Sequence, residues 1–250
     1  MKEDLTKTIQ MLRRKQKELH IDLMTFGRID PEILYLRDEN REWLLKSNYR
    51  FSISLACRLT QTYCELLYRH LDAGMLMYFK NYCNSVSSKL DCAAHQLCEE
   101  LEDAGYRAFV MPGIGKGYQS GEPGIISHIA LARLSGMGSM GDGGMLLTPE
   151  FGPRIRLSTI LTDCPFPANE ADLSKKICTS CGLCKQYCPS GAITGNHFDL
   201  EQPAKQYINK EVCSAYRNKR PEIVGNRFCN LCMAVCPIGK SLPVTGLPSK

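Results

Sequence analysis

No stretch of the 250 residues is long and apolar enough to span a bilayer as a helix, which argues against a helical membrane anchor. Arg13-Arg14 is followed by Lys15-Gln16-Lys17-Glu18 rather than an apolar run, so the pair reads as a solvated helix face and not as an export leader. The expected compartment is therefore the reducing cytoplasm. Low-complexity segments are lacking too, as is the strict strand–helix alternation of a parallel sheet. Gly113-Ile114-Gly115-Lys116-Gly117 lacks the Lys-Ser/Thr ending of a phosphate loop and reads as a turn. Charge of one sign is scarce: 31 Lys/Arg stand against 26 Asp/Glu, and a net +5 is too small to argue for nucleic acid.

Cysteine, by contrast, is abundant, with 14 in the chain. Cys178, Cys181, Cys184 and Cys188 precede Pro189 in the spacing C-x2-C-x2-C-x3-C-P, and Cys229, Cys232, Cys236 and Pro237 nearly repeat it. This is a spacing of iron–sulfur ligation, in which the fourth cysteine of a run serves the other cluster. The predicted arrangement is crossed: Cys178, Cys181, Cys184 and Cys236 hold one [4Fe–4S] cluster. Cys188, Cys229 and Cys232 hold a second, with Cys213 as the well-placed remaining ligand. Structural zinc also uses C-x2-C pairs, but three sulfurs in tandem crowd a single tetrahedral ion. A disulfide framework does not suit a large chain without a leader. Electron transfer is the implied chemistry. The other six cysteines, Cys57, Cys64, Cys83, Cys92, Cys98 and Cys164, stand at no ligand spacing and read as small buried hydrophobes, with Cys164 the one to weigh as a redox thiol. Residues 166–250 carry 11 Lys/Arg against 6 Asp/Glu, an excess that offsets the anionic clusters and suits an acidic electron donor.

Periodicity predicts an amphipathic helix over 2–19, a strand over 21–27, a helix from Pro31 that includes Trp43, and a half-buried strand from Phe51 to Leu55. A helical face at Leu90, Ala94, Leu97, Cys98 and Leu101 stops at Gly105, and a strand follows from Tyr106 to Met111. A helix from Ile125 to Gly136 and a strand from Arg154 to Leu161 complete the series. Pro165 and Pro167 mark a linker. The expected class is α+β with a largely antiparallel sheet, divided into domains 1–165 and 166–250, the second loop-rich with short helices after its cysteine turns.

Gly136-Met137-Gly138-Ser139-Met140-Gly141 spells G-x-G-x-x-G, but a helix precedes it and Asp142-Gly143-Gly144 follows, which is the wrong context for a dinucleotide. The glycines either let backbone approach a flat cofactor or form a loop without one. His128 reads as a satisfied histidine. Glu122, before Pro123, is the candidate proton donor, set against the ordinary reading of a solvated loop carboxylate.

The run from Gly136 to Asp163, with its Thr148-Pro-Glu-Phe-Gly152 segment, resembles the corrinoid-binding core of epoxyqueuosine reductases and reductive dehalogenases. Cys213-Ser-Ala-Tyr216 and Gly225-Asn-Arg-Phe-Cys229-Asn-Leu-Cys232 resemble the ligand set of the former. The resemblance implies a nitroreductase-like module holding cobalamin or another corrinoid, followed by a ferredoxin-like double-cluster domain. It places Gly141, Asp142, Met145, Thr148 and Phe151 along the corrinoid, and implies a ferredoxin- or flavodoxin-like donor. Two departures matter. Gly121-Glu122-Pro123 stands where that family has an aspartate motif, so the acid is Glu122 or is missing. The chain also ends at Lys250 without a helical extension, so tRNA is not the expected substrate. The rival expectation is an electron-transfer protein that reduces a separate corrinoid protein.

Overall fold

A computed structural model describes residues 4–29, 42–44, 46–69, 71–111, 113, 126–167, 172–198, 206–218, 229–243 and 246–247. Glu122 and most of the expected helix from Pro31 lie outside these residues. The chain forms two compact units, each assembled from separate segments. The first is Met1–Cys57, Ser85–Met137 and Arg156–Leu173; the second is Arg58–Asn84, Gly138–Ile155 and Ser174–Lys250. These units differ from a division at residue 165/166, because 58–84 and 138–155 pack with the cysteine-bearing segment. Linker prolines report a local change in composition, whereas this packing is non-local.

In the first unit, α1 (Leu5–Glu18) begins where the Asp4 carboxylate accepts the Thr6 N–H at 2.8 Å, satisfying a donor that the helix leaves free. Its Leu12 is fully buried. Four strands form a sheet in the order β1 (Leu23–Arg28), β2 (Phe51–Arg58), β6 (Ile155–Thr162), β3 (Ala108–Met111). The β1–β2 pair is antiparallel with Phe26 opposite Ile53, and the β3–β6 pair is antiparallel with Phe109 opposite Leu161. One core gathers Phe26, Ile53 and Leu55 with Leu90, Leu97 and Leu101 of α3 (Ala73–Asp103), and the Phe26 and Phe166 rings stack at 4.5 Å. Burying each such side chain stabilises the fold by about 1.5–3 kcal/mol.

Strand β2 is not half-buried as its alternation suggested, since Ser52 and Ser54 are as enclosed as Ile53 and Leu55. The second face is covered by α4 (His128–Leu134), whose following residue Ser135 sits over Gly27, where an added Cβ would meet the Ser135 Cβ at 2.9 Å. His128 is satisfied by the Thr159 hydroxyl at 2.8 Å, and Cys164 is fully buried, so both take the ordinary reading.

The second unit comprises α2 (Gln61–Glu65), a single 3-10 turn (Leu66–Arg69), the start of α3, a hairpin of β4 (Ser139–Met140) and β5 (Leu146–Leu147), and three helices. These are α5 (Leu183–Gln186), α6 (Lys210–Asn218) and α7 (Leu231–Val235). Helix α7 packs on α5, α2 and the 3-10 turn; its Leu231, Met233, Ala234 and Val235 are buried, as are Leu67, Leu76 and Phe79. Periodicity caught only the second half of α3, because its first turns carry exposed Met77 and Tyr78 beside buried Leu76 and Phe79.

Candidate iron–sulfur centres

The two cysteine runs share a backbone device. In Cys181-Gly182-Leu183-Cys184 and Cys229-Asn230-Leu231-Cys232 the residue after the first cysteine is left-handed, with φ 75° at Gly182 and 53° at Asn230. Each caps a short helix that carries the next cysteine, so the chain reverses tightly and turns both sulfurs toward one side. A second device follows. Cys188-Pro189-Ser190-Gly191 and Cys236-Pro237-Ile238-Gly239 both end in a left-handed glycine, with φ 66° and 68°. The repeat is therefore C-P-x-G, two residues longer than its cysteines and prolines indicate.

Thiols of the two runs lie together, with Cys178, Cys181 and Cys184 of the first and Cys232 and Cys236 of the second lining one hollow. Burial first, then Cys178 and Cys181 nearby, push the Cys236 thiol up; the Ile238 N–H and the Arg154 guanidinium oppose that. Cys184 is raised to about 11 by burial, with Cys178, Asp142 and Cys181 adding to it and the Lys185 N–H opposing. Burial likewise raises Cys229, which interacts with Cys213 and Cys188, and Cys232, which interacts with Cys229, Cys188 and Cys213. Cys188 differs. Burial is the largest influence on it, yet the Ser190 hydroxyl and the N–H groups of Ile193, Ser190 and Ala192 together outweigh it and lower the pKa. Cys232 also interacts with Cys184, so the two runs adjoin there.

That hollow, of about 410 Å³ and partly open to solvent, lies between Cys178–Cys184, Cys232–Ile238 and the β4–β5 hairpin. Among the described residues no three His, Cys, Asp or Glu side chains close around a point fit for a single ion. A cubane spaces its ligands more widely, since each sulfur binds a different iron. The donor set fits such a cluster: thiols of both runs together, amide N–H donors directed at sulfur, and a buried cation. That cation is Arg154, 2% exposed, which donates to the Cys236 carbonyl at 2.9 Å and to the Ile238 carbonyl.

The positions assigned to a corrinoid are placed as follows. Asp142, largely buried, accepts from the Phe198 N–H at 3.3 Å and meets His197 Nδ1 at 3.2 Å. Met145 Sδ accepts from the Cys232 thiol at 3.8 Å, and Gly141 lines the hollow. The Thr148 hydroxyl is buried, accepting the Phe151 N–H at 3.1 Å and donating to the Gly152 carbonyl at 3.4 Å. Phe151 is partly exposed, with the Arg58 guanidinium 6.0 Å from its ring centre. The glycine loop is filled by the chain itself. An added Cβ would meet Leu147 O at 2.1 Å from Gly138, Leu147 Cδ1 at 2.8 Å from Gly141, Cys184 Cβ at 3.3 Å from Gly143 and Ile208 Cγ2 at 3.0 Å from Gly144. These close approaches hold the loop against the chain on the side that a Cβ would take. Sequence reasoning missed Arg154 and the two C-P-x-G glycines; the repeated Gly191 and Gly239 were the available signal, and Arg154 had none.

Residues 177–239 match a family described as a 4Fe-4S double cluster binding domain. The chain is 26% identical over 170 residues to an epoxyqueuosine reductase of Listeria monocytogenes, covering 64% of this chain and 39% of that protein. It is 28% identical over 151 residues to a tetrachloroethene reductive dehalogenase of Sulfurospirillum multivorans, covering 58% and 28%. Among solved structures, an epoxyqueuosine reductase with an epoxyqueuosine-modified tRNA stem loop aligns with TM-score 0.61 and 19% identity over 95% of this chain and 67% of that one. A reductive dehalogenase whose structure suggests a mechanism for B12-dependent dehalogenation aligns with TM-score 0.63 and 17% identity over 91% and 31%. The site and the matched domain define a protein with two [4Fe–4S] clusters. Within that class the chain is related to the epoxyqueuosine reductases and reductive dehalogenases, although it spans about two fifths or less of the curated relatives' length. Its mixed helix and sheet are the α+β class read from periodicity. Among the described residues no helix is long and apolar enough to cross a membrane.

Proposed function

We propose that the chain is an iron–sulfur oxidoreductase in which Cys178, Cys181, Cys184 and Cys236 ligate one [4Fe–4S] cluster and Cys188, Cys213, Cys229 and Cys232 the other. The observation that carries this reading is the exchange between the runs. Cys236 interacts with Cys178 and Cys181, while Cys229 and Cys232 interact with Cys188. Bound clusters supply one-electron transfer. The chain's own residues fix the ligands, exclude water from the second group through α7, and direct N–H groups at sulfur, which favours the reduced form. Cys184 and Cys232, which influence one another, would hold the two clusters at their point of approach, where bound clusters would exchange an electron. A ferredoxin- or flavodoxin-like protein is the proposed donor.

The proposed acceptor is a corrinoid held by a nitroreductase-like module, with Gly141, Asp142, Met145, Thr148 and Phe151 of the second unit along it. Support comes from the fold shared with a B12-dependent dehalogenase. Glu122 remains the proposed acid on the resemblance alone. Gly121-Glu122-Pro123 in place of the aspartate motif favours a second reading, an electron carrier serving a separate corrinoid protein. Anaerobic protein with reconstituted clusters, mixed with cobalamin and desalted, distinguishes the two. A retained base-off Co(II) EPR signal supports the first reading, and its loss on desalting supports the second. Because a similar structure holds a tRNA stem loop, exclusion of tRNA is not carried forward. Binding to such a stem loop that weakens steeply with salt would make it the substrate class.

A further inference from the structure

The Thr148–Arg154 segment has a duty toward the cysteines that its resemblance to a corrinoid core does not include. Gly152, at φ 55°, packs so closely on the second run that an added Cβ would lie 2.0 Å from the Ile238 carbonyl oxygen. Gly239, at φ 68°, reciprocates: its added Cβ would lie 2.3 Å from the Gly152 nitrogen and the Phe151 carbonyl carbon. Two residues beyond Gly152, Arg154 spans the same loop, with one guanidinium nitrogen on Cys236 O and another on Ile238 O. Carbonyl acceptors leave its charge uncompensated. Burial is the largest influence on Arg154, and the groups whose anionic forms attract it are, in order of strength, Cys64, Cys236, Tyr68 and Glu65. A buried cation is costly without a counter-charge, and a thiolate-ligated cluster beside Cys236 is an anion. Lys240 extends the positive side. It is half-buried and donates to the Tyr68 hydroxyl at 2.8 Å; burial and then Arg154 act against its charge, while Glu65 and, after it, Cys236 attract it.

Resting on the two-cluster reading, we propose that Arg154, seconded by Lys240, is the positioning residue of the Cys178/Cys181/Cys184/Cys236 cluster: it fixes the fourth ligand's loop and raises that cluster's reduction potential. Reduction adds one negative charge to the cluster, and a fixed cation at its edge stabilises the reduced form over the oxidised. The other cluster, whose Cys229 lies under the influence of Arg217, keeps its surroundings when Arg154 or Lys240 is replaced and is the internal reference.

The experiment is an anaerobic redox titration followed by EPR, with iron analysis and timed iron loss to a chelator. It uses wild type, Arg154→Met, Arg154→Lys and Lys240→Met, and a Cys181→Ser variant identifies the signal of the first cluster. Arg154→Met is expected to lower only the first cluster's midpoint and to speed iron loss. Arg154→Lys is expected to keep most of the midpoint while still speeding iron loss, because the charge stays and the two-carbonyl fork goes. Lys240→Met is expected to lower the same midpoint by less. A merely structural role would speed iron loss without separating Lys from Met. Equal movement of both clusters, or no movement of the first in Arg154→Met, overturns the proposal. If Arg154→Met does not load, an unchanged midpoint in Lys240→Met together with a fully shifted one in Arg154→Lys overturns it. Wild type lacking two clusters would instead defeat the underlying functional reading.

Discussion

Replacing Gly152 by alanine tests whether the Thr148–Arg154 segment scaffolds the fourth cluster ligand. The backbone there is left-handed, at φ 55°, which costs a non-glycine residue about 1–2 kcal/mol. The new methyl would also lie 2.0 Å from Ile238 O and 2.8 Å from its carbonyl carbon, and both are backbone atoms that no rotamer change removes. Relieving that overlap adds about 1–3 kcal/mol, so Gly152→Ala should cost about 2–5 kcal/mol in all, summing those two contributions. Gly182→Ala is the matched control. It shares a left-handed φ, 75°, but an added Cβ meets nothing within 4 Å, so only the conformational cost applies. With about 2–4 °C per kcal/mol expected at this size, thermal unfolding of the loaded proteins should place Gly152→Ala well below Gly182→Ala. Iron analysis should show loss from the Gly152 variant first. If the two variants melted together and kept equal iron, the claim that this turn braces the Cys236 loop would be refuted.

Other consequences follow from the same geometry. Cys181→Ala and Cys232→Ala should each remove a different cluster, leaving distinct EPR signals and about half the iron of a double-cluster domain; identical residual spectra would contradict the crossed ligand set. Of the six cysteines outside the ligand set, Cys92 is exposed and Cys57, Cys64, Cys83, Cys98 and Cys164 are buried. Alkylation of the loaded native protein, followed by peptide mapping, should therefore label Cys92 before those five. Burial raises the Cys64 and Cys98 thiols from 9.0 to about 12. The folded state favours the neutral thiol, so the stabilisation is complete below pH 9 and is lost as pH rises toward 12. The melting temperature should fall across that interval, and less so in Cys98→Ala.

Much of this was legible because it is local. Helix α1, strands β1, β2, β3 and β6 and helix α4 follow from apolar spacing, and the double-cluster domain follows from cysteine spacing with the two prolines. What was not legible depends on distant partners. The 58–84 segment joins the cysteine-bearing unit through packing of α2 on α7, and Gln61 reaches across the sequence to accept the N–H groups of Ser241 and Leu242 at 3.1 and 3.0 Å. No periodicity encodes such a contact. The glycine loop is a different case. Its letters admitted a cofactor or a loop without one, and only the fold shows that Leu147, Cys184 and Ile208 stand where a Cβ would go at Gly138, Gly141, Gly143 and Gly144. Arg154 escaped notice for the opposite reason. It sits in an alternating Arg-Ile-Arg strand pattern where a solvated side chain is the usual outcome, and only the fold reveals that this one is enclosed.

The central claim is that two groups of four thiolates, each drawn from both cysteine runs, hold iron cubanes. Metal and acid-labile sulfide analysis of protein prepared without oxygen tests it most directly. The account predicts eight irons and eight sulfides per chain, from two four-iron clusters, and no stoichiometric zinc. Zinc in place of iron, or a single cluster in the unsubstituted chain, would contradict it.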